Sequence, residues 1–169
     1  AQAQENMKKM QEQMDKIQMV NLTDQHKKIQ TELNEAIQGV IATSAFINGP
    51  EVKAFAAELE QYTGASHVIP CANGTDALQI AMMALELQPG DEVIVPAFTY
   101  AATAEVIGLL GLTTVMVDVN PHTFNIEAEA IAKSITPKTK AIVPVHLFGQ
   151  CADMENILQL AEKHHLYVI

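Results

Sequence analysis

From residue 66 onward, short apolar runs rich in β-branched residues alternate with stretches whose apolar positions recur at helical spacing. The strand-like runs are residues 66–71, 92–96, 114–119, 140–145 and 166–169. The segments between them, 77–87, 101–110, 127–135 and 154–165, carry the helical period. Strands alternating with helices of this length predict βαβ units and a mostly parallel sheet. The runs are nearly continuous in apolar residues, as strands are when helices cover both faces of a sheet. The expected class is α/β, with a mostly parallel central sheet between two helical layers. The last residues, His-His-Leu-Tyr-Val-Ile, fall within or at the end of a strand. The chain therefore reads as part of a longer protein.

Upstream the period is helical throughout. Met7, Met10, Met14 and Ile17 recur at i, i+3, i+7 and i+10, a narrow apolar seam on an amphipathic helix. A second helix is expected from a cap at Thr23 or Asp24 to about Thr43. Asn48-Gly49-Pro50 marks a turn, Pro50 suits a first helical position, and Gly64 ends the helix that follows. Residues 1–65 form an N-terminal helical segment on this reading. Residues 66–169 form the first part of an α/β domain, incomplete at its C-terminus.

Charge narrows the partners. The formal net charge is −10, and all ten basic residues are lysines. A nucleic-acid partner, which a basic patch would announce, is not expected. With no guanidinium fork available, a bound anion must rely on backbone N–H groups, hydroxyls or lysine. No apolar run reaches membrane-spanning length, and the first 19 residues lack the apolar block of a secretory signal. Cys71 and Cys151 do not make a disulfide framework, and a reducing, cytoplasmic setting is the expectation. Cys71 reads as a buried strand residue.

In open parallel sheets, ligands bind beyond the carboxyl ends of the strands. Those ends here carry Asn73-Gly74-Thr75, Phe98-Thr99-Tyr100, Asp118-Val119-Asn120 and His146-Leu147-Phe148-Gly149. One rim thus gathers amides, hydroxyls, aromatics, a carboxylate and an imidazole. Gly74 allows positive φ and close backbone approach, and Thr75 can cap the helix that follows. Free N–H groups at such a helix start favour an anion, phosphate above all. Read alone, Asn-Gly-Thr is more often a capped turn than a site, and Asp76 in the first turn would compete with an anion unless it points away or makes its own cap. Tyr100 is either a core aromatic or a plate for an aromatic ligand. His146 is either a satisfied core histidine or a functional one, and it lacks nearby partners for a metal. Asp118 is expected to fix the turn at Asn120-Pro121.

The stretches FINGPEVKAFAAELEQYTG, CANGTDALQIAMMALELQPGDEVIVPAFTYAATAE and VDVNPHTFNIEAEAIAKSITPKTKAIVPVHLFGQCADM follow one another with one family's spacing. Over roughly residues 19–169 the chain resembles the DegT/DnrJ/EryC1/StrS family of pyridoxal-phosphate-dependent sugar aminotransferases. The resemblance implies the large domain of fold-type-I transferases, a homodimer, and transfer of an amino group, typically from glutamate, to a keto group of a nucleotide-linked sugar. It implies Gly74 and Thr75 as binders of the cofactor phosphate, Tyr100 as the residue stacked on the pyridine ring, and His146 as a substrate-side residue. The family's pyridine-nitrogen aspartate and Schiff-base lysine belong to motifs expected beyond residue 169. Lys133, Lys138, Lys140 and Lys163 fall toward the opposite rim, and Lys53 lies before the sheet, so none replaces that lysine. The 169 residues alone are expected to be inactive and to hold no catalytic residue. Two alternatives remain: a family relative that uses histidine in place of the lysine for sugar dehydration, and a non-catalytic fragment serving assembly.

Overall fold

The computed structural model describes residues 20–169. The Met7–Ile17 seam lies outside the described residues. The described residues fall into two compact units, divided between residues 69 and 70.

Within the first unit, α1 (Leu22–Thr43) and α2 (Pro50–Thr63) are the helices. The cap of α1 is Asn21, not Thr23 or Asp24. Its side chain accepts the Asp24 N–H at 3.1 Å and donates to the Asp24 carboxylate at 2.7 Å. Leu22, Ile29, Leu33, Ile37 and Ile41 share one stripe of α1 and are all exposed. Pro50 opens α2, and Gly64 ends it in the left-handed conformation, as the turn chemistry predicts. A side chain at Gly49 would run into the Ala45 carbonyl oxygen, so the turn between the helices requires glycine there.

The second unit holds α3 (Gly74–Ala84), β1 (Glu92–Pro96), α4 (Ala102–Leu109), β2 (Thr113–Val117), α5 (Ala128–Ser134), β3 (Thr139–Ile142), a 3-10 turn (Leu147–Gly149), α6 (Met154–His164) and β4 (Tyr167–Val168). The four strands are parallel, in the order β2-β1-β3-β4. Successive strand residues point to opposite faces, and helices cover both. Val93, Val95, Ala141 and Val143 pack with Met82, Val106, Ile107 and Leu112 from the α3–α4 side. Ile94 and Ile142 pack with Ile131, Ile157 and Ala161 from the α5–α6 side. Each such fully buried aliphatic side chain contributes about 1.5–3 kcal/mol relative to an exposed one.

One expected strand is absent. Residues 66–71 pair with no strand among the described residues, and Ile69 is exposed. An apolar β-branched run becomes a strand only when a neighbour completes its ladder. Cys71 is accordingly exposed, not buried, and its thiol donates to the Asn73 carbonyl at 3.3 Å. The strands at 113–117 and 139–142 also end sooner than their apolar runs. The chain leaves the sheet there to build the rim, closing a single antiparallel bridge between Val119 and Ile126.

Strand order sets the position of a crevice. From β1 the chain crosses to β2 on one side, then returns past β1 to β3 on the other. Between β1 and β3 the direction of winding reverses, and the loops leaving their carboxyl ends part to open a crevice. Those loops carry Tyr100 and His146.

Candidate active site

The helix start before β1 is built by Asn73. Its side-chain oxygen accepts the Asp76 N–H at 2.9 Å, and its amide donates to the Asp76 carboxylate at 3.1 Å. Asn73, not Thr75, is therefore the cap, because an extended Asn at this position reaches the third helical N–H. The same pair explains Asp76: its carboxylate turns back to the capping residue, away from the open amides of the first turn. Gly74 does not take a positive φ. What it supplies is space, since a Cβ built there meets nothing within 4 Å. Among the described residues, the Gly74 and Thr75 N–H groups and the Thr75 hydroxyl make no hydrogen bond. Because α3 leads through residues 85–91 into the start of β1, its own N-terminus lies toward the carboxyl rim of the sheet. Two unpaired amides and a hydroxyl at the positive end of a helix dipole suit a phosphate.

Tyr100 is 81% exposed, which removes the core-aromatic reading and leaves its ring available on the rim. Ala97, Phe98, Thr99 and Tyr100 from the loop after β1 join Leu147 and Phe148 from the loop after β3 around a cavity of about 350 Å³. The reversal in strand order thus brings the Tyr100 and His146 segments together. Gly74 and Thr75 share the rim but do not line that cavity. A larger cavity, about 820 Å³, lies between α5 and α6 and includes none of the four residues.

His146 is exposed, so it is not a core histidine. Its Nδ1 accepts the Ala152 N–H at 3.1 Å, which leaves Nε2 as the nitrogen without a partner among the described residues. Asp118 does not fix the next turn. Asn120 does, its side-chain oxygen accepting the His122 and Thr123 N–H groups at 2.8 and 3.1 Å.

Three features of the rim were not anticipated from the sequence. Phe124 stacks between Phe98 and Phe148, with ring centroids 5.4 and 5.8 Å apart. Phe124 and Phe148 both hold positive φ, 60° and 56°, a region that non-glycine residues rarely occupy and that concentrates at functional sites. Asn125 is buried, and its side chain reaches into the loop after β3. An Asn inside the apolar stretch Thr-Phe-Asn-Ile was the one available signal, since a buried amide must find partners.

Free amides at a helix start and an exposed tyrosine beside a switch point, on an α/β unit, are features that suit an anionic ligand at the sheet edge. Residues 27–169 match the DegT/DnrJ/EryC1/StrS aminotransferase family, and the chain belongs to it. It is 47% identical over 153 residues to the UDP-2-acetamido-2-deoxy-3-oxo-D-glucuronate aminotransferase of Pseudomonas aeruginosa, covering 90% of this chain and 43% of that one. The crystal structure of DesV from S. venezuelae, in complex with a ketimine intermediate, superposes with a TM-score of 0.86 at 35% identity, over 90% of this chain and 41% of that one. The structure of NtdA from Bacillus subtilis with bound cofactor PMP gives a TM-score of 0.77 at 40% identity, over 86% and 33%. The chain thus spans less than half the length of these relatives. No described helix is long and apolar enough to cross a membrane. Among the described residues there is no cluster of three metal-binding side chains.

Proposed function

We propose that these residues are the phosphate-and-ring half of the cofactor site of a sugar aminotransferase that uses pyridoxal 5'-phosphate. The Gly74 and Thr75 amides and the Thr75 hydroxyl hold the phosphate. Tyr100 lies against the pyridine ring. His146, on the adjacent loop, offers Nε2 to the substrate. The observation that supports this reading is the convergence of the Tyr100 and His146 loops at the β1/β3 switch point, in a unit that also carries a helix start with unpaired amides. Bound there, the cofactor supplies an electron sink for carbanion chemistry at the amino-bearing carbon.

The amino group goes from glutamate to a keto group of a nucleotide-linked sugar, in a pathway of polysaccharide building-block synthesis. The lysine that anchors the cofactor and the aspartate that pairs with its ring nitrogen come from the part of the protein after residue 169, so the 169 residues alone are inactive. The working protein is a cytoplasmic homodimer, and the exposed apolar stripe of α1 gives a subunit contact an apolar face. The test is to mix the full-length protein with pyridoxal phosphate, glutamate and a panel of nucleotide-linked keto sugars. Amino-sugar formation that requires both cofactor and glutamate supports the reading. A full-length protein that binds no pyridoxal phosphate contradicts it.

A further inference from the structure

We infer that Asn125 is a positioning residue: it clamps the loop after β3 and so sets the place of His146 on the rim. The inference rests on the substrate-side reading of His146 given above.

The clamp is assembled from parts far apart in sequence. Asn125 is 6% exposed. Its side-chain amide donates to the Gln150 carbonyl at 3.1 Å and to the Cys151 carbonyl at 3.2 Å. Its side-chain oxygen accepts the Leu147 N–H at 3.3 Å. One side chain therefore holds both ends of the segment between His146 and Ala152. His146 closes the same segment from inside, its Nδ1 taking the Ala152 N–H at 3.1 Å. With Nδ1 engaged in this way, the ring cannot flip without giving up that bond.

Asn125 is itself held on a rigid base. The turn from Asn120 is closed by the Phe124 N–H donating to the Asn120 carbonyl at 2.8 Å and the Asn120 N–H donating to the Asn125 carbonyl at 3.0 Å. The adjacent residue Phe124 takes positive φ and stacks on Phe98 and Phe148, the first from the loop of Tyr100 and the second from the loop of His146. Neighbouring residues of one turn thus reach both loops of the crevice, one by ring contact and one by hydrogen bonds. A buried amide with all its bonds directed at one loop carries more than packing requires, since leaving it unpaired would cost about 1–3 kcal/mol.

The experiment uses the full-length protein and the variants Asn125→Ala, His146→Ala, their double variant, and Ile107→Val as a control that loosens the core on the opposite face of the sheet from Ala152. Two readouts are taken. Hydrogen–deuterium exchange of the peptide covering residues 146–152 should quicken about tenfold or more in Asn125→Ala and not in Ile107→Val. Turnover of the keto sugar should fall in both single variants, and the double variant should be no worse than His146→Ala, because a residue acting through another adds nothing once that one is gone. Unchanged exchange in Asn125→Ala overturns the clamp. Additive losses, or a loss in Asn125→Ala with none in His146→Ala, overturn the claim that it acts through His146. A wild-type protein that turns over no keto sugar removes the aminotransferase reading alone, and the exchange measurement still decides the clamp.

Discussion

At the N-terminal rim of the sheet, Glu92 accepts the hydroxyls of Thr136 and Thr139, the Thr139 hydroxyl in turn accepts the Thr136 N–H at 2.9 Å, and Asp91 accepts the Gln88 N–H at 2.8 Å. At the carboxyl rim of the same strands, the Gly74 and Thr75 amides have no partner among the described residues, Tyr100 stands exposed, and two phenylalanines hold positive φ. One rim pairs its polar groups with one another. The other leaves some of them open. Positive φ occurs at both, since Glu86 and His165 hold it before β1 and β4. Polar groups satisfied internally stabilise a fold, whereas open donors are what a ligand completes. The contrast between the rims, more than any single residue, is what supports the proposed placing of the cofactor at the carboxyl rim.

The largest expected effect breaks the carboxyl rim alone. Gly74→Asp puts a carboxylate at a helix start, where the dipole welcomes it, and its Cβ meets no neighbour. The melting temperature without cofactor should hold, while affinity for pyridoxal phosphate in the full-length protein falls by about 3 kcal/mol through lost contacts and repulsion. The mirror-image change at the other rim, Glu92→Ala, should do the reverse. It strands the buried Thr139 hydroxyl, while the exposed Thr136 hydroxyl turns to water, and it lowers stability by about 1–2 kcal/mol in denaturant unfolding, with cofactor affinity unchanged. If Glu92→Ala weakened the cofactor as much as Gly74→Asp did, the division of labour between rims would be wrong.

A smaller effect is expected at Tyr100. Replacing it with Ala should weaken cofactor binding by about 0.5–1.5 kcal/mol, replacing it with Phe should not, and neither should move the melting temperature of so exposed a side chain. Smallest of all is the Glu129–Lys133 pair on α5, at 2.8 Å and fully exposed, which belongs to neither rim. The hydrogen bond and charge of Lys133 hold the Glu129 carboxyl below its ordinary value of 4.5. The sign follows: the pair's contribution is present above that value and is lost as pH falls through the lower folded one. Glu129→Gln should therefore differ from wild type only slightly near neutral pH, and the two melting curves should converge as the solution becomes more acid.

How far the sequence alone reached depended on the range of the interaction. The βαβ alternation was legible because burial on both faces leaves Val93–Val95 and Ala141–Val143 apolar without a break. The helix end at Gly64 was legible because left-handed backbone favours glycine. Local competition between capping residues was harder. Asn21 outcompetes Thr23 and Asp24, and Asn73 outcompetes Thr75, because each Asn pairs with an Asp three residues on. Residues 66–71 have a strand's composition, but composition cannot supply the neighbour that a ladder needs. The rim positions of Tyr100 and His146 were legible from their places after strands. Asn125 was not, since its bonds span 22 to 26 residues and no local pattern announces them.

The central claim is that the helix start at Gly74–Thr75 is the phosphate end of a pyridoxal phosphate site. A crystal structure of the full-length protein with its cofactor tests it most directly. The account predicts phosphate oxygens within hydrogen-bond distance of the Gly74 and Thr75 amides and of the Thr75 hydroxyl, with the pyridine ring against Tyr100. A cofactor phosphate bound elsewhere, with those two amides facing only water, would contradict it.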